Sequence, residues 1–450
     1  ALAIPRAERF ARFGLINDPD CRPPRRGDTI DPAHPHDVCA DPRATGILGL
    51  RLEHDYDLRT GAENPAAPRQ FGVTCASCHA GFDPVRVPRN PAEPEWRNIH
   101  PTIGSLRFRF GEFFGINFNA ADPRQSPKRD LFFSWNPGTV DTTTLFDDGV
   151  NNAGTVTAFW NVPNRPYFTN AKGTFHRGGQ GGEDDVGGAT AAARVYSNIG
   201  MCYRECSLPA QQRGVPIDTA ACAARCTKWP SEQALSDLVA FMDDAKAPKN
   251  PLAKPRRHPA VRRGKAVFEA RCVGCHSGEV ASNDEVLPLG GAADGTESGP
   301  GEIGTNNCRA LTTNWDAGKI WAEFASPELN NRGFKGYRVM PLEGMWATAP
   351  YLHHNAIGTI DLQRVTVRQA NADFEASAWQ LLTPPAQRSG VRVKTTTVLT
   401  PSGPTTVPIN VLPSLSGGLA CEVDELKGHA FGTDLCDADK RDLIEYLRTL

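Results

Sequence analysis

The sequence predicts a mainly α-helical chain of two domains built on one plan, with extensive loops and few short strands. The pentapeptide pattern Cys-x-x-Cys-His occurs twice, at Cys75–His79 and at Cys272–His276. Amphipathic segments flank the second copy, and a looser version of that arrangement surrounds the first. The 450 residues include 42 glycines and 37 prolines, a share above the average of about 12%, which indicates that much of the chain is loop.

A helix before the second pentapeptide is predicted by HPAVRRGKAVFEARCVGCH. Its apolar residues at helical spacing are Val261, Ala266, Val267 and Ala270. At the far end, DADKRDLIEYLRTL predicts an amphipathic helix, which Asp437 or Asp439 can cap. A helix, the pentapeptide, loops and a terminal helix are the plan of a cytochrome c domain.

The first half follows this plan more loosely. IPRAERFARFGL predicts a first helix, and SEQALSDLVAFMDDA predicts a closing helix with Ser231 as its N-cap. The proline- and lysine-rich segment KAPKNPLAKPRRHP is typical of a linker. We therefore predict two cytochrome c-like haem domains, residues 1–247 and 258–450, joined by a linker at 248–257.

Four cysteines predict an insertion in the first domain, a disulfide-stapled helical hairpin at about residues 198–230. Each pair of cysteines is four residues apart, so its members share one helix face. The predicted disulfides are Cys202–Cys226 and Cys206–Cys222. The alternative is a four-cysteine zinc site, although zinc sites favour tighter spacings.

The total of 13 cysteines indicates an oxidising compartment. Cys21 with Cys39, and Cys421 with Cys436, are predicted local disulfides, which leaves Cys308 as a free thiol. The first residues, ALAIPRAERF, are typical of a mature terminus from which a signal peptide has been removed. We expect a periplasmic, secreted or extracellular location.

Charge and hydropathy argue against a nucleic-acid-binding protein and against a membrane-spanning protein. The net charge of −2 and the pI of about 6.6 give no basic surface for nucleic acid. The mean hydropathy is −0.40, and no apolar run is long enough to span a bilayer. The sequence therefore predicts no nucleic-acid partner and no transmembrane segment.

Cys-x-x-Cys-His is the attachment signature of c-type haem. The two thiols form thioethers with the porphyrin, and the adjacent histidine becomes the proximal iron ligand. The two predicted attachment sites are Cys75, Cys78 and His79 for haem 1, and Cys272, Cys275 and His276 for haem 2. The other interpretations are a zinc knuckle, coincidence, or a thioredoxin-like redox pair, which would need a βαβ context.

Two single-haem domains in one chain resemble the bacterial di-haem cytochrome c peroxidase superfamily. That superfamily includes the enzyme that matures methylamine dehydrogenase, and the rubber oxygenases. GFKGYRVMPLEGMWATAPYLHHNAIGTI (333–360) resembles the superfamily's TAPYxHxG segment, especially the WATAPYLHN form of the rubber-oxygenase-like branch. GHAFGTDL (428–435) resembles that branch's C-terminal signature. The resemblance covers most of residues 258–450 and is thinner over 1–257.

FWNVPNRPYFTNAKGTFHRGG (159–179) extends the resemblance into the first half. The rubber oxygenases have a Phe-Trp pair and, fifteen residues after the Trp, another Phe. Phe159, Trp160 and Phe175 reproduce this spacing. The resemblance implies that Trp160 is an electron bridge between the haems and that Phe175 is a wall of the distal pocket. The alternative interpretation is that these three residues are ordinary aromatic residues of the core.

The resemblance also implies a sixth ligand for haem 2. His429 matches the late histidine of the rubber-oxygenase-like branch, and His/His ligation would make haem 2 a six-coordinate electron relay. Peroxidases of the superfamily use a methionine, and the maturing enzyme uses a tyrosine. The corresponding alternatives are Met340, Met345, Tyr337 and Tyr351. His353, in APYLHH, is expected to line the haem edge or to bond a propionate.

The sixth position of haem 1 is left open by the sequence. His100, in WRNIHPTIG, and His176, beside Phe175, are candidate ligands. If neither binds, the iron on His79 is open to peroxide or dioxygen. A peroxidase also needs an acid–base group, and Glu183 in HRGGQGGEDDVGG is the candidate, unless this segment is a solvated acidic turn.

These inferences predict an extracytoplasmic di-haem oxidoreductase that activates peroxide or dioxygen at haem 1, with haem 2 as electron relay. One alternative is a pure electron-transfer cytochrome with both irons six-coordinate. Another is a haem-dependent oxygenase of a hydrophobic substrate. The expected partner is a small electron donor or acceptor protein. Calcium between the domains, as in some relatives, is a further candidate cofactor, although the sequence shows no clear site for it.

Overall fold

The computed structural model describes most of the chain outside two long central stretches. The described residues are 3–54, 63–67, 69–122, 125–141, 153–161, 221, 224, 226, 231–283, 286–288, 303–306, 336–409 and 423–450. Helix exceeds strand in these ranges, and loops connect both. The coarse prediction of a helical, loop-rich chain is therefore confirmed. Within these ranges, no helix is both long enough and apolar enough to cross a bilayer.

Eight α-helices lie in the described part of the chain. They are α1 (Arg6–Phe13), α2 (Cys75–His79), α3 (Phe110–Gly115), α4 (Ser126–Phe133), α5 (Glu232–Asp244), α6 (Pro259–Arg271), α7 (Val367–Leu381) and α8 (Asp437–Leu447). Single turns of 3₁₀-helix lie at Trp96–Asn98, Met345–Ala347 and Pro385–Gln387. The sequence predicted α1, α5, α6 and α8; it did not predict α3, α4 or α7, and it identified α2 only as a pentapeptide motif.

The described strands are short and pair antiparallel in twos. The pairs are β1 (Cys21–Arg22) with β2 (Val38–Cys39), β3 (Leu50–His54) with β4 (Arg69–Val73), β5 (Ala80–Phe82) with β6 (Ile99–Pro101), β7 (Thr139–Val140) with β8 (Gly154–Thr155), β9 (Val286–Pro288) with β10 (Gly336–Arg338), and β11 (Thr395–Thr400) with β12 (Gly403–Pro408). Few and short strands were predicted; the described strands are short but more numerous than expected. Each pair ties two loop segments together without building a larger sheet.

Two predicted helix caps have different outcomes. The Ser231 hydroxyl accepts a hydrogen bond from the Ala234 amide at 3.1 Å and so caps α5, as predicted. The N-cap of α8 is Cys436, not Asp437 or Asp439, and both aspartates lie in the first turn. Negative side chains in the first turn stabilise a helix through its dipole, so both aspartates contribute there although neither is the cap.

Helices α6 and α8 cross closely in the core of the C-terminal half. Phe268, Leu443 and Ile444 pack there with Phe374 of α7. Gly264 lies at the crossing, because a Cβ atom on it would stand 1.8 Å from the Asp442 carbonyl oxygen. The face of α6 that meets α8 is therefore centred on Gly264 and Phe268. Of the predicted apolar face, Val261 is buried, whereas Ala266 and Ala270 are exposed.

The substitution Gly264→Ala is expected to lower the free energy of unfolding by about 1–3 kcal/mol, because α8 must move away to admit the methyl group. Urea denaturation of the holoprotein measures the change. Ala266→Ser, on the exposed side of the same helix, should stay within about 0.5 kcal/mol of the parent. Equal stability of the Gly264 and Ala266 variants would contradict the close crossing.

The N-terminal half positions the first pentapeptide through its own core. Leu50 of β3 packs with Phe108 and Phe110 in this core. Gly49, just before β3, has a φ of +80°, and a Cβ atom there would be 2.2 Å from the Ser77 amide nitrogen. The chain at Gly49 thus lies directly against α2. The Thr74 amide also donates to the Gly49 carbonyl at 2.8 Å, which fixes where α2 begins.

The cysteines outside the pentapeptides confirm one predicted disulfide and contradict another. Cys21 and Cys39 form a disulfide between β1 and β2. Cys436 is an exposed free thiol, so the predicted Cys421–Cys436 pair is wrong. Closeness in sequence does not bring two Cβ atoms into bonding geometry, and Cys436 points outward at the start of α8. Cys226 is disulfide-bonded, and its partner lies outside the described residues, as do the other hairpin cysteines and Cys308.

The predicted linker at 248–257 is attached to the C-terminal half. The Pro248 carbonyl accepts a hydrogen bond from Trp346 Nε1 at 2.8 Å. The Asn250 side chain donates to Asn371 of α7 at 2.8 Å. The proline-rich composition thus corresponds to a loop segment with two turns, held in place by side-chain hydrogen bonds. The predicted domain limits themselves stay predictions.

Candidate haem-binding sites

The second pentapeptide opens onto a large, mostly apolar cavity. Its volume is about 470 Å³, within the range of about 300–1,000 Å³ typical of ligand sites. Cys272, Cys275 and His276 lie in its wall at the end of α6. His429, from the loop before α8, and Trp160, from the N-terminal half, line the same cavity.

His276 is oriented by its own loop. Its Nδ1–H donates to the Ala281 carbonyl at 3.1 Å, which leaves the lone pair on Nε2. Burial lowers the pKa of His276, so the ring is neutral at physiological pH. A neutral imidazole whose second nitrogen is held by a carbonyl is the form that binds a metal.

His429 faces His276 across the cavity. The two ring centres are 6.5 Å apart, which is roughly the width of one metal ion with a bond of about 2 Å to a nitrogen on each side. Burial, together with the neighbouring His276, lowers the pKa of His429 to about 4. Two neutral imidazoles and a pair of cysteines therefore line one cavity. This donor set fits a covalently attached haem with two axial histidines.

Of the alternative axial ligands, the two tyrosines donate their hydroxyl groups to main-chain carbonyls, and the two methionines lie in the cavity wall. The Tyr337 hydroxyl donates to the Asn306 carbonyl at 2.7 Å. The Tyr351 hydroxyl donates to the Met345 carbonyl at 3.0 Å. Met340 and Met345 both line the cavity. Among the five candidates, His429 has its ring centre 6.5 Å from that of His276.

His353 also lies in the wall of this cavity. Its ring stacks on Tyr337 and on His354, with 4.3 Å between ring centres in each case. Behind it, His354 Nε2 is 3.6 Å from a carboxylate oxygen of Glu425. Burial is the main cause of the lowered pKa of His354. The predicted contact of His353 with the haem edge or a propionate agrees with this position but stays a prediction.

The first pentapeptide forms the short helix α2. The Nδ1–H of His79 donates to the Thr157 carbonyl at 3.1 Å, and burial lowers the pKa of His79 to about 4. His79 thus has the same tautomer and charge as His276. The ring of Phe159 lies 4.5 Å from the His79 ring. Burial also raises the pKa of Cys78 to about 11, as it does for Cys272.

Trp160 connects the surroundings of the two pentapeptides. It is 3% exposed, follows Phe159 directly, and lines the cavity of His276. A Cβ atom on Gly344 would be 2.2 Å from its ring, so the indole lies against the C-terminal half. Its Nε1 is buried and has no acceptor among the described residues.

His100 lies next to this tryptophan. On β6 it pairs with Gly81 of β5, two residues after His79. Its ring meets the Trp160 ring edge-on at 5.8 Å, and its Nδ1–H donates to the Pro101 carbonyl at 2.6 Å. Ligation of the first iron by His100 stays a prediction.

Comparison with known proteins gives one family match, over a short segment. A family model described as RoxA-like, cytochrome c-like, matches residues 336–362. This segment carries Tyr337, Met340 and His353 of the cavity wall. The chain contains a cytochrome c-like segment. With the pentapeptides, the match supports a haem c protein of the oxidoreductase class at a coarse level.

No curated protein matches the chain. Among solved structures, a hydrazine synthase from Kuenenia stuttgartiensis, determined under 20 bar of xenon, is similar at 16% identity. The match covers 78% of this chain and 89% of that chain, with a TM-score of 0.30. A TM-score this low carries no argument about the present chain.

Several predicted site residues lie outside the described part of the chain. They are Phe175, His176 and Glu183, so the distal side of the first site stays a prediction. In the described ranges, no cluster of three or more His, Cys, Asp or Glu side chains could hold a metal ion. The calcium ion likewise stays a prediction.

Two buried charged groups close to the second cavity have no signal in the sequence. Glu425, behind His354, and Arg388, which bonds the loop of His429, are 2% and 5% exposed. Neither lies in a motif or an amphipathic helix. A charged residue in a loop sequence normally indicates a solvated position, so only the folded structure reveals them.

Proposed function

We propose that this chain is an extracytoplasmic di-haem c-type oxidoreductase that reduces peroxide at haem 1, on His79, and relays electrons through haem 2, on His276. The observation that carries the proposal is the Phe159–Trp160 dipeptide. Phe159 lies 4.5 Å from the His79 ring, and Trp160 lines the cavity of His276. Two consecutive buried aromatic side chains thus reach both attachment motifs.

The two sites are proposed to have different roles, electron relay at one and reaction with peroxide at the other. Haem iron exchanges single electrons, and it also binds peroxide or dioxygen when its sixth position is open. His276 and His429 face each other 6.5 Å apart, which supports a closed relay site. The resemblance supports Trp160 as the bridge and Phe175 as a wall of the reactive site.

The proposed reaction converts one hydrogen peroxide, two electrons and two protons into two water molecules. A small donor protein supplies the electrons one at a time, and they enter through the relay. Glu183 is proposed as the group that moves the protons, since a peroxidase needs an acid–base residue near the reactive oxygen. The Cys21–Cys39 disulfide supports an oxidising, extracytoplasmic location.

A second candidate is a haem-dependent oxygenase of a hydrophobic substrate. The RoxA-like description of the family match favours it. The third, a pure electron-transfer cytochrome, requires His100 or His176 to close the first site, and His100 is already packed beside Trp160.

Carbon monoxide binding to the dithionite-reduced protein tests the proposal. We expect one carbon monoxide per two haems, because only the site of His79 is open. The oxidised protein should show one high-spin and one low-spin haem by electron paramagnetic resonance. Hydrogen peroxide should then oxidise a reduced cytochrome c donor in a reaction that depends on this protein.

Other results of the same experiments would support one of the two other candidate functions. Two low-spin haems in every redox state, with no bound carbon monoxide, would contradict an open site and support pure electron transfer. Dioxygen consumption with polyisoprene, without peroxide-dependent oxidation of the donor, would support the oxygenase instead.

A further inference from the structure

Arg388 has an unusual set of partners for a buried cation. It is 5% exposed and follows the 3₁₀ turn Pro385–Gln387. Its guanidinium makes five hydrogen bonds, all to main-chain carbonyls. These are Nε to Thr383 at 3.0 Å, Nη1 to Leu426 at 3.0 Å and to Gly428 at 2.6 Å, and Nη2 to Leu381 and to His429, both at 2.9 Å. Peptide dipoles therefore surround its charge.

These bonds join two separate parts of the fold. Leu381 and Thr383 are at the carboxyl end of α7, where the last helical carbonyls have no partner within the helix. Leu426, Gly428 and His429 form the loop that carries the proposed sixth ligand. The planar fork of arginine can reach both parts at once, whereas lysine is a point charge with three donors.

The loop needs such support because His429 has a strained backbone. Its φ is +45°, in the left-handed region, which costs a non-glycine residue about 1–2 kcal/mol. The His429 amide also donates to the Ile303 carbonyl at 2.7 Å. Gly428 fits so tightly that a Cβ atom there would be 2.4 Å from Thr305 Cα. These contacts thus hold His429 in one orientation.

We infer that Arg388 is the positioning residue for His429, and that its buried charge raises the reduction potential of the iron between His276 and His429. The bonds to the Gly428 and His429 carbonyls hold the imidazole toward His276. A fixed positive charge beside the axial ligand disfavours the more positive, oxidised iron. This inference rests on the proposed ligation by His429.

The test uses the holoprotein with Arg388→Met, Arg388→Lys and His429→Ala. Arg392→Met is the matched control, because Arg392 bonds Asp424 and the Pro385 carbonyl, each at 2.6 Å, close to the same turn. We measure carbon monoxide bound per reduced protein, the spin state by electron paramagnetic resonance, and each haem's midpoint potential by spectroelectrochemical titration.

We expect His429→Ala to bind one more carbon monoxide than the parent and to gain one high-spin signal. Arg388→Met should move toward the same state and lower the potential of that haem. Arg388→Lys keeps the charge, so it should lower the potential less while still losing part of the low-spin signal. Arg392→Met should match the parent in both spectrum and potential.

Different results would contradict ligation by His429 and the role of Arg388. An unchanged spectrum in His429→Ala overturns the ligation by His429, and with it the role of Arg388. If His429→Ala gains the extra carbon monoxide but both Arg388 variants keep the parent spectrum and potential, only the inference about Arg388 is overturned. A lower melting temperature without any spectral change also overturns it, because that result indicates a structural bond alone. If Arg388→Met does not fold, the spectrum and the midpoint potential of Arg388→Lys test the inference.

Discussion

Replacing Cys272 and Cys275 by serine is expected to halve the covalently bound haem, from two groups per chain to one. Serine hydroxyls form no thioethers, so His276 alone cannot retain the group after denaturation. The measurement is the pyridine haemochrome absorbance per protein after acid–acetone extraction. The corresponding double variant of Cys75 and Cys78 should lose the other haem.

The matched control for haem loss is Cys436→Ser. Cys436 is an exposed free thiol at the start of α8, outside both pentapeptides, and this variant should retain two haems. A parent protein with one haem, or a pentapeptide variant that still retains two, would contradict the proposal of two attachment sites.

Replacing Trp160 by phenylalanine is expected to slow electron transfer between the two haems by about tenfold or more, equivalent to about 1.4 kcal/mol in the barrier. The indole is larger and more easily oxidised than a phenyl ring, and it fills the space against Gly344. Rapid reduction of the protein, followed optically at both haems, measures the rate at which the electron redistributes.

The control for this variant is Trp346→Phe. Trp346 is 1% exposed in the C-terminal core, so its substitution removes a comparable volume without touching the path between the sites. Trp346→Phe should lose at least as much stability, because it also removes the hydrogen bond to the Pro248 carbonyl, and only Trp160→Phe should lose the fast transfer. Equal transfer rates in the two variants would show that Trp160 is a packing residue.

Helix prediction succeeded where apolar side chains recur at helical spacing. The helix α5 has Ser231 as its cap and Met242 on its buried side. The sequence missed α7 because much of its buried face is small or polar, as with Asn371, Asp373 and Ser377. Hydrophobic periodicity cannot detect such a face, since these side chains are buried by bonding to neighbouring elements.

Disulfide pairing depends on how the folded chain orients each cysteine side chain, which sequence spacing does not show. Cys21 and Cys39 are brought together by the β1–β2 pair, whereas Cys436 lies exposed at a helix start. Short separation favours closure of a loop but does not orient two side chains. Sequence spacing therefore predicted one pair correctly and the other wrongly.

The sequence by itself determined the donor groups of each pentapeptide, because the pattern places two thiols and an imidazole within five residues. Only the tertiary structure decided that His429 faces His276, that Trp160 lines the same cavity, and that Arg388 bonds the loop of His429. These residues are far apart in sequence and come together through loop packing and main-chain bonds. Such contacts have no periodicity and no local signature, so they arise only when the whole chain folds.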